Sequence, residues 1–165
     1  MNTLIILIAQ YAIFVVPIFV LIACATMPLA NRKQFIVTFV LGMLFGYMLL
    51  RLASGAFYDP RPFTVSGINA LFPHIADNGF PSDHTIIAAL AAFIVFAFSR
   101  RIGVILVVLS VLIGTARVLA HVHSWVDIVG AIIVAFIAAV LAYLAVHLMI
   151  NRSANDNINL QKETQ

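Results

Sequence analysis

Residues 102–121 read IGVILVVLSVLIGTARVLAH, an apolar run that ends on an arginine and a histidine. A hydrocarbon layer about 30 Å thick takes roughly 20 such residues in helical form. Working outward from this run, similar stretches occupy 84–99 and 125–150 on either side, then 34–53 and 4–27 towards the N-terminus. In lipid, backbone N–H and C=O groups must find partners within the segment, so each stretch is read as a helix. The expected fold is all-α, a polytopic membrane bundle of about five transmembrane helices. Composition agrees: 64% of the 165 residues are hydrophobic and 9% charged, with a mean hydropathy of +1.12. Soluble domains run near a quarter charged.

The chain divides into a membrane-embedded domain, 1–150, and a polar tail, 151–165, whose Asn-rich composition reads as disordered and cytoplasmic. Met1-Asn2-Thr3 lacks the positive start of a secretory signal. Leu21-Ile22-Ala23-Cys24 has the look of a lipid-attachment box, but the run before it exceeds a signal's apolar region, so 4–27 is read as a retained helix with a tolerable kink at Pro17. Cys24 is the single cysteine, which excludes an internal disulfide and a cysteine-based metal site.

The net charge of +3 does not point to nucleic acid, because most basic residues sit in connectors and act as orientation signals. Arg32, Lys33, Arg100, Arg101, Arg152 and Lys162 fall on one side. Arg51, Arg61 and Arg117 fall on the other, with Asp59, Asp77, Asp83 and Asp127. The first side is therefore assigned to the cytoplasm, leaving the N-terminus outside and the C-terminus inside. The outer face receives the long connector 54–83 and the tight turn near 121–124.

Those two places hold the unusual residues. Asp59-Pro60-Arg61-Pro62-Phe63 sets an arginine between prolines, which restrict where its guanidinium points. The bland alternative is a stiff loop whose arginine meets lipid headgroups. Phe80-Pro81-Ser82-Asp83-His84 leads into an apolar helix, with Ser82 or Asp83 suited to the N-cap and His84 in the first turn, where helix ends favour anions. Arg117, His123 and Asp127 come together near the outer end of two helices. Ionisable residues within spans are costly and are functional candidates by default. His123 and Asp127, four apart, share a face if helical, and the carboxylate can orient the imidazole so that its other nitrogen attacks. A structural Arg–Asp staple with Trp125 as interface anchor is the alternative. The inventory suits phosphoryl transfer, which rests on positioning and charge stabilisation. The arginines would repel a metal cation.

These residues resemble the type 2 phosphatidic acid phosphatase superfamily, whose pattern is Lys, six residues, Arg-Pro; then Pro-Ser-Gly-His; then Ser-Arg, five residues, His, three residues, Asp. Arg61-Pro62, Pro81-Ser82-Asp83-His84, and Arg117, His123 and Asp127 fit its three parts. The stretch 71–85, with Asp83 in place of Gly, looks most like bacterial undecaprenyl-diphosphatases. The resemblance implies hydrolysis of undecaprenyl diphosphate to undecaprenyl phosphate and phosphate, without metal or cofactor. It implies His123 as nucleophile through a phosphohistidine, Asp127 as its orienting group and His84 as acid then base. Arg61, Arg117, Ser82 and Asp83 hold the phosphate, with Arg51 as a stand-in for the pattern's lysine, whose place Ser54 occupies. Ala116 replaces the serine before Arg117, and five spans are counted where the family usually has six. His74 and His121 match no motif position and are read as interfacial or supporting; His147 reads as structural. Gly42 and Gly46 read as close-packing positions. The expected partners are the lipid substrate and membrane lipids, not nucleic acid. The rival readings are a lipid monophosphatase acting on phosphatidic acid, phosphatidylglycerol phosphate or a lipid A-type substrate, and a non-catalytic phospholipid-binding or transport protein.

Overall fold

The computed structural model describes the backbone of residues 2–163 and the side chains of residues 2–152. It carries α1 (Asn2–Tyr11), a 3₁₀ turn at Ala12–Phe14, α2 (Val15–Thr26), α3 (Leu29–Ala56), the short α4 (Pro62–Val65), α5 (Asp83–Phe98), α6 (Arg100–Leu119) and α7 (Trp125–Glu163). Among the described residues, four helical stretches are long and apolar enough to cross a membrane, and α5 is a fifth, shorter apolar helix. The protein is an all-helical, multi-pass membrane bundle.

Helices α1 and α2 make one span, Asn2–Thr26, interrupted by the 3₁₀ turn. Pro17 explains the interruption, since its ring would clash with the carbonyl four residues back, at Ile13. At the far end Arg32 caps α2, donating from Nη2 to the Ala25 carbonyl (2.7 Å) and from Nε to the Met27 carbonyl (3.3 Å).

Helix α5 is short for a span, about 24 Å at 1.5 Å per residue. Nine of its sixteen residues are buried, so it meets protein on most sides and need not match the bilayer's thickness. It packs on α6, α7 and α3, and the last two pack on each other. Small residues set these distances. Gly46 lies under Leu90, whose Cδ2 would stand 2.7 Å from an added Cβ, and Gly42 meets Ile94 still more closely. Both glycines are buried, as their close-packing reading requires. Outward, Leu21, Val40, Leu52, Val108 and Leu148 are exposed, a surface suited to lipid.

Helix α7 keeps its backbone helical to Glu163, past residue 151, where composition reads as a disordered tail. Extending a formed helix avoids the nucleation cost that an isolated polar segment would face. The side chains of 153–165 lie outside the described residues.

Candidate active site

The connector between α3 and α5 is stapled to the bundle rather than draped over it. Asn78 does much of this. Its Nδ2 donates to the carbonyls of Ser54 and Phe57 (both 2.9 Å), and its Oδ1 accepts from the backbone N–H groups of Asp59 and Phe80 (both 3.0 Å). The Phe63 and Leu71 N–H groups donate to the carbonyls of His121 (3.2 Å) and Ala120 (3.1 Å). Connector and α6–α7 turn are thereby one unit. The turn reverses at His121, which adopts a left-handed φ of 60°, a conformation in which histidine is enriched among non-glycine residues.

Because α5 packs between α6 and α7, the turn joining those helices carries His123 over the start of α5. A cavity of about 370 Å³ opens there, lined by Arg61, His74, Asp83, His84, Arg117 and His123, with Gln10 and Tyr11 from the first span and Phe72 and Pro73 from the connector. Residues drawn from three separate motifs and from the N-terminal helix face one space.

His123 is the centre of it, 2% exposed. Its Nε2 sits 3.2 Å from Arg61 Nη1 and 3.2 Å from Arg117 Nη2, and its Nδ1 sits 3.1 Å from Asp127 Oδ2. Guanidinium groups only donate. Nε2 must therefore be the lone-pair nitrogen, and Nδ1 carries the proton and donates it to the carboxylate. The tautomer follows from the neighbours. Burial, first, and then the charges of Arg117 and Arg61 hold the His123 pKa below the usual imidazole value, against the upward pull of Asp127. A neutral, buried imidazole with an available Nε2 lone pair is the form a nucleophile needs.

Asp127 is fixed in turn. Its Oδ2 accepts from the Ser124 N–H (2.8 Å), its own N–H donates to Ser124 Oγ (3.2 Å), and Ser124 Oγ donates to Asp59 Oδ2 (2.6 Å). Arg61, 7% exposed, donates from Nη1 to the Val122 carbonyl (2.8 Å) and from Nε to Asp77 Oδ1 (2.7 Å). Asp77 pays for partial burial with an upward pull on its pKa, which the Arg61 hydrogen bond and charge more than reverse, leaving it below the usual carboxylate value. Arg117 donates from Nη1 to the Ala9 carbonyl of α1 (3.3 Å), and its Nη2 stands 2.8 Å from His74 Nε2. The arginines are thus held in place by backbone carbonyls and loop side chains.

Of the residues expected at the site, Arg61, Asp83, His84, Arg117 and His123 line the cavity, and Asp127 stands directly behind His123. Ser82 does not line it. Its side chain is fully buried, its Oγ accepts from Thr85 Oγ1 (3.2 Å), and it holds the N-cap position of α5 without a side-chain capping bond. Packing beneath the turn, where the Ser82 N–H meets the Asp127 carbonyl (3.3 Å), turns it away. Arg51 is exposed and lines a separate cavity beside Asp83. One helical turn before Ser54 is close in sequence but faces elsewhere. Asp83 is exposed, and its carboxylate offers a phosphate no hydrogen; its contribution is charge near Arg117. Sequence reasoning read His74 as interfacial or supporting and Asp77 as one of the outer-face acids without placing either at the cavity, and it did not single out Gln10 or Tyr11.

The PAP2 superfamily model matches residues 35–150. The undecaprenyl-diphosphatase BcrC of Bacillus subtilis (strain 168) is 31% identical over 147 residues, covering 87% of this chain and 74% of the relative. The bacitracin transport permease protein BcrC of Bacillus licheniformis is 27% identical, with 87% and 70% covered. Among solved structures, LpxE of Aquifex aeolicus superposes with a TM-score of 0.67 at 24% identity, over 86% of this chain and 84% of that one. The transmembrane PAP2 type phosphatidylglycerolphosphate phosphatase of Bacillus subtilis superposes at 0.57 and 20% identity, over 92% and 77%. The three-part spacing, the shared cavity and the family match agree, and the chain belongs to the PAP2 superfamily.

Proposed function

We propose that this membrane phosphatase hydrolyses an isoprenoid lipid diphosphate, converting undecaprenyl diphosphate to undecaprenyl phosphate and phosphate at the extracytoplasmic face. The observation that carries the reaction is His123 Nε2 held between two guanidinium groups with Asp127 behind Nδ1. The name of the relative at 31% identity carries the substrate.

In the first step the Nε2 lone pair attacks the terminal phosphorus. The bridging P–O bond breaks, its electron pair leaves with the lipid phosphate, and His84 supplies the proton. Asp127 balances the charge gained by the ring, while Arg61 and Arg117 hold the non-bridging oxygens, a geometry guanidinium groups match well. In the second step His84 takes a proton from water, whose oxygen attacks the phosphohistidine. The P–N bond breaks, the pair returns to Nε2, and inorganic phosphate leaves.

The tail of such a lipid stays in the bilayer, and the helices offer it a course. A cavity of about 320 Å³ shares Asp83 with the catalytic cavity, and shares Met43 and Ile87 with an apolar groove of about 630 Å³ between α2, α3 and α5. That continuity supports a long-chain substrate. The basic connectors opposite the site support its extracytoplasmic placement.

The test is phosphate release by purified protein from a panel of undecaprenyl diphosphate, phosphatidic acid, phosphatidylglycerol phosphate and lipid A-type phosphates. The diphosphate should be preferred, and His123→Ala should abolish turnover while leaving a folded protein in detergent. Preference for a monophosphate would overturn the substrate, and near-normal turnover by the variant would overturn the mechanism. Binding without turnover on every lipid would favour the transport or binding reading.

A further inference from the structure

His74 fits no part of the family pattern, yet its ring lines the catalytic cavity. Both of its nitrogens face donors. The Ile75 backbone N–H points at Nδ1 (2.9 Å), and Arg117 Nη2 stands 2.8 Å from Nε2. A neutral imidazole has one acceptor nitrogen and one N–H, so one of these contacts sets hydrogen against hydrogen. Protonating the ring would set both that way. The ring resists it: burial first, then Arg61 and Arg117, lower its pKa to about 4. What would relieve the conflict is an acceptor arriving between the ring and Arg117. With Nδ1 kept as acceptor by Ile75, Nε2 carries the proton and becomes a donor into the cavity. Arg117 shows the same shortage, since its buried Nε has no partner among the described residues.

The cavity also lacks a donor that the family pattern supplies. Ser54 occupies the lysine position, and its carbonyl and Oγ accept from Asn78 Nδ2 (2.9 and 3.3 Å). Arg61 and Arg117 are the cations among the lining residues. His74 is placed to make up the difference. It stacks on Phe72 (ring centroids 6.0 Å apart, planes at 24°) and meets His123 edge-on at 6.3 Å. Both histidines lean on the same Arg117 Nη2, at 2.8 and 3.2 Å, so one phosphoryl group can touch both.

We propose that His74 is a phosphate ligand whose Nε2–H donates to a non-bridging oxygen of the substrate's phosphoryl group, filling the place of the family's lysine. This rests on the reading of the cavity as a phosphoryl site and deepens it.

The experiment uses the full chain in detergent, titrated with inorganic phosphate by calorimetry, alongside turnover of undecaprenyl diphosphate. His74→Phe keeps the ring stacked on Phe72 but has no N–H; His74→Gln places an amide N–H near the position of Nε2. A hydrogen bond to a charged group is worth about 10- to 100-fold in binding. His74→Phe should weaken phosphate binding by about that factor and raise KM more than it lowers kcat. His74→Gln should recover to within about 5-fold of the parent, on the same hydrogen-bond scale. Unchanged phosphate affinity in His74→Phe overturns the proposal. So does an equal loss in both variants with unchanged thermal unfolding, which would assign the effect to the ring. Should His74→Phe fail to fold, His74→Asn, whose amide is too short to reach, replaces it in the comparison. A parent protein that binds no phosphate overturns it too. A parent that binds phosphate in a His74-dependent way but releases none from any lipid leaves this ligand standing and removes the hydrolase reading.

Discussion

Asp127→Asn removes one charge from the site and almost no volume, which makes it the sharpest probe of His123 as the proposed nucleophile. The native carboxylate is 1% exposed, and its Oδ2 faces both the Ser124 N–H (2.8 Å) and His123 Nδ1 (3.1 Å). An amide oxygen can accept the same two hydrogens. The amide nitrogen then falls where Oδ1 now sits, a buried atom already without a partner, so the fold should change little in stability. Catalysis should change a great deal. As Nε2 attacks, the ring becomes positive beside a group that no longer carries charge. A hydrogen bond to a charged group is worth about 1.5–3 kcal/mol, and the direct attraction of unit charges 4 Å apart adds up to about 4 kcal/mol at an effective dielectric of 20. Only the part that grows between ground and transition state counts. Taking that part as roughly 2–4 kcal/mol, kcat should fall about 30- to 1,000-fold at 1.36 kcal/mol per decade. The pH profile separates this from a protonation artefact. His123 must be neutral to attack, so activity falls as pH drops through its pKa, which burial already holds below the usual imidazole value while Asp127 pulls it up. Removing Asp127 should move the acid limb of kcat/KM to lower pH. Phosphate release from undecaprenyl diphosphate across a pH series measures both. A loss under about threefold, on the same scale, or an acid limb that moves upward, would refute the orienting role.

Gly79→Ala tests the packing behind the same carboxylate. An added Cβ would stand 2.9 Å from Asp127 Oδ2 and 3.1 Å from the Asp59 carbonyl, and crowding of this kind costs about 1–3 kcal/mol. Steady-state kinetics should show kcat lowered about 10-fold, near the lower end of that range, with thermal unfolding a few degrees earlier. Parent-like kcat would mean that Asp127 has room to yield. Ser66→Cys tests orientation at an exposed site in the connector: a membrane-impermeant thiol reagent should label it in intact cells, and labelling only after lysis would invert the topology.

The parts of this molecule that were legible in the sequence are those fixed by helix ends. An apolar run must begin and end near an interface, so His84, Arg117, His123 and Asp127, each at or beside such an end, and Arg61 in the connector between two of them, could be assigned to one face from the sequence. The helix break before Pro17 was legible for the same kind of local reason. Which way a side chain turns at a helix end was not. Ser82 and Arg51 stand next to the right residues, yet burial beneath the turn takes one away from the cavity and the far face of α3 takes the other. His74 was readable as an interfacial or supporting residue, but not its contact with Arg117: the two are 43 residues apart, His74 in a connector with no periodicity, and only the stapling of that connector to the turn brings them to 2.8 Å.

That stapling has a consequence for how a short chain can hold an anion site at all. Two arginines converging on one imidazole repel each other and gain nothing until an anion enters, so something must hold them in its absence. Here backbone carbonyls do much of it. Val122 takes Arg61 and Ala9 takes Arg117, at 2.8 and 3.3 Å, and a carbonyl can accept without adding the negative charge that would compete with phosphate. The loop side chains complete the arrangement differently on the two sides. Asp77 neutralises Arg61 from the rim, with 57% of its side chain exposed, while Arg117 faces a neutral histidine and feels Asp83 as a nearby negative charge rather than as an ion-pair partner. The asymmetry leaves Arg117 the less neutralised of the two cations that line the cavity. It also makes the N-terminal span part of the site, since the carbonyl that aims Arg117 belongs to α1, 108 residues away in the chain.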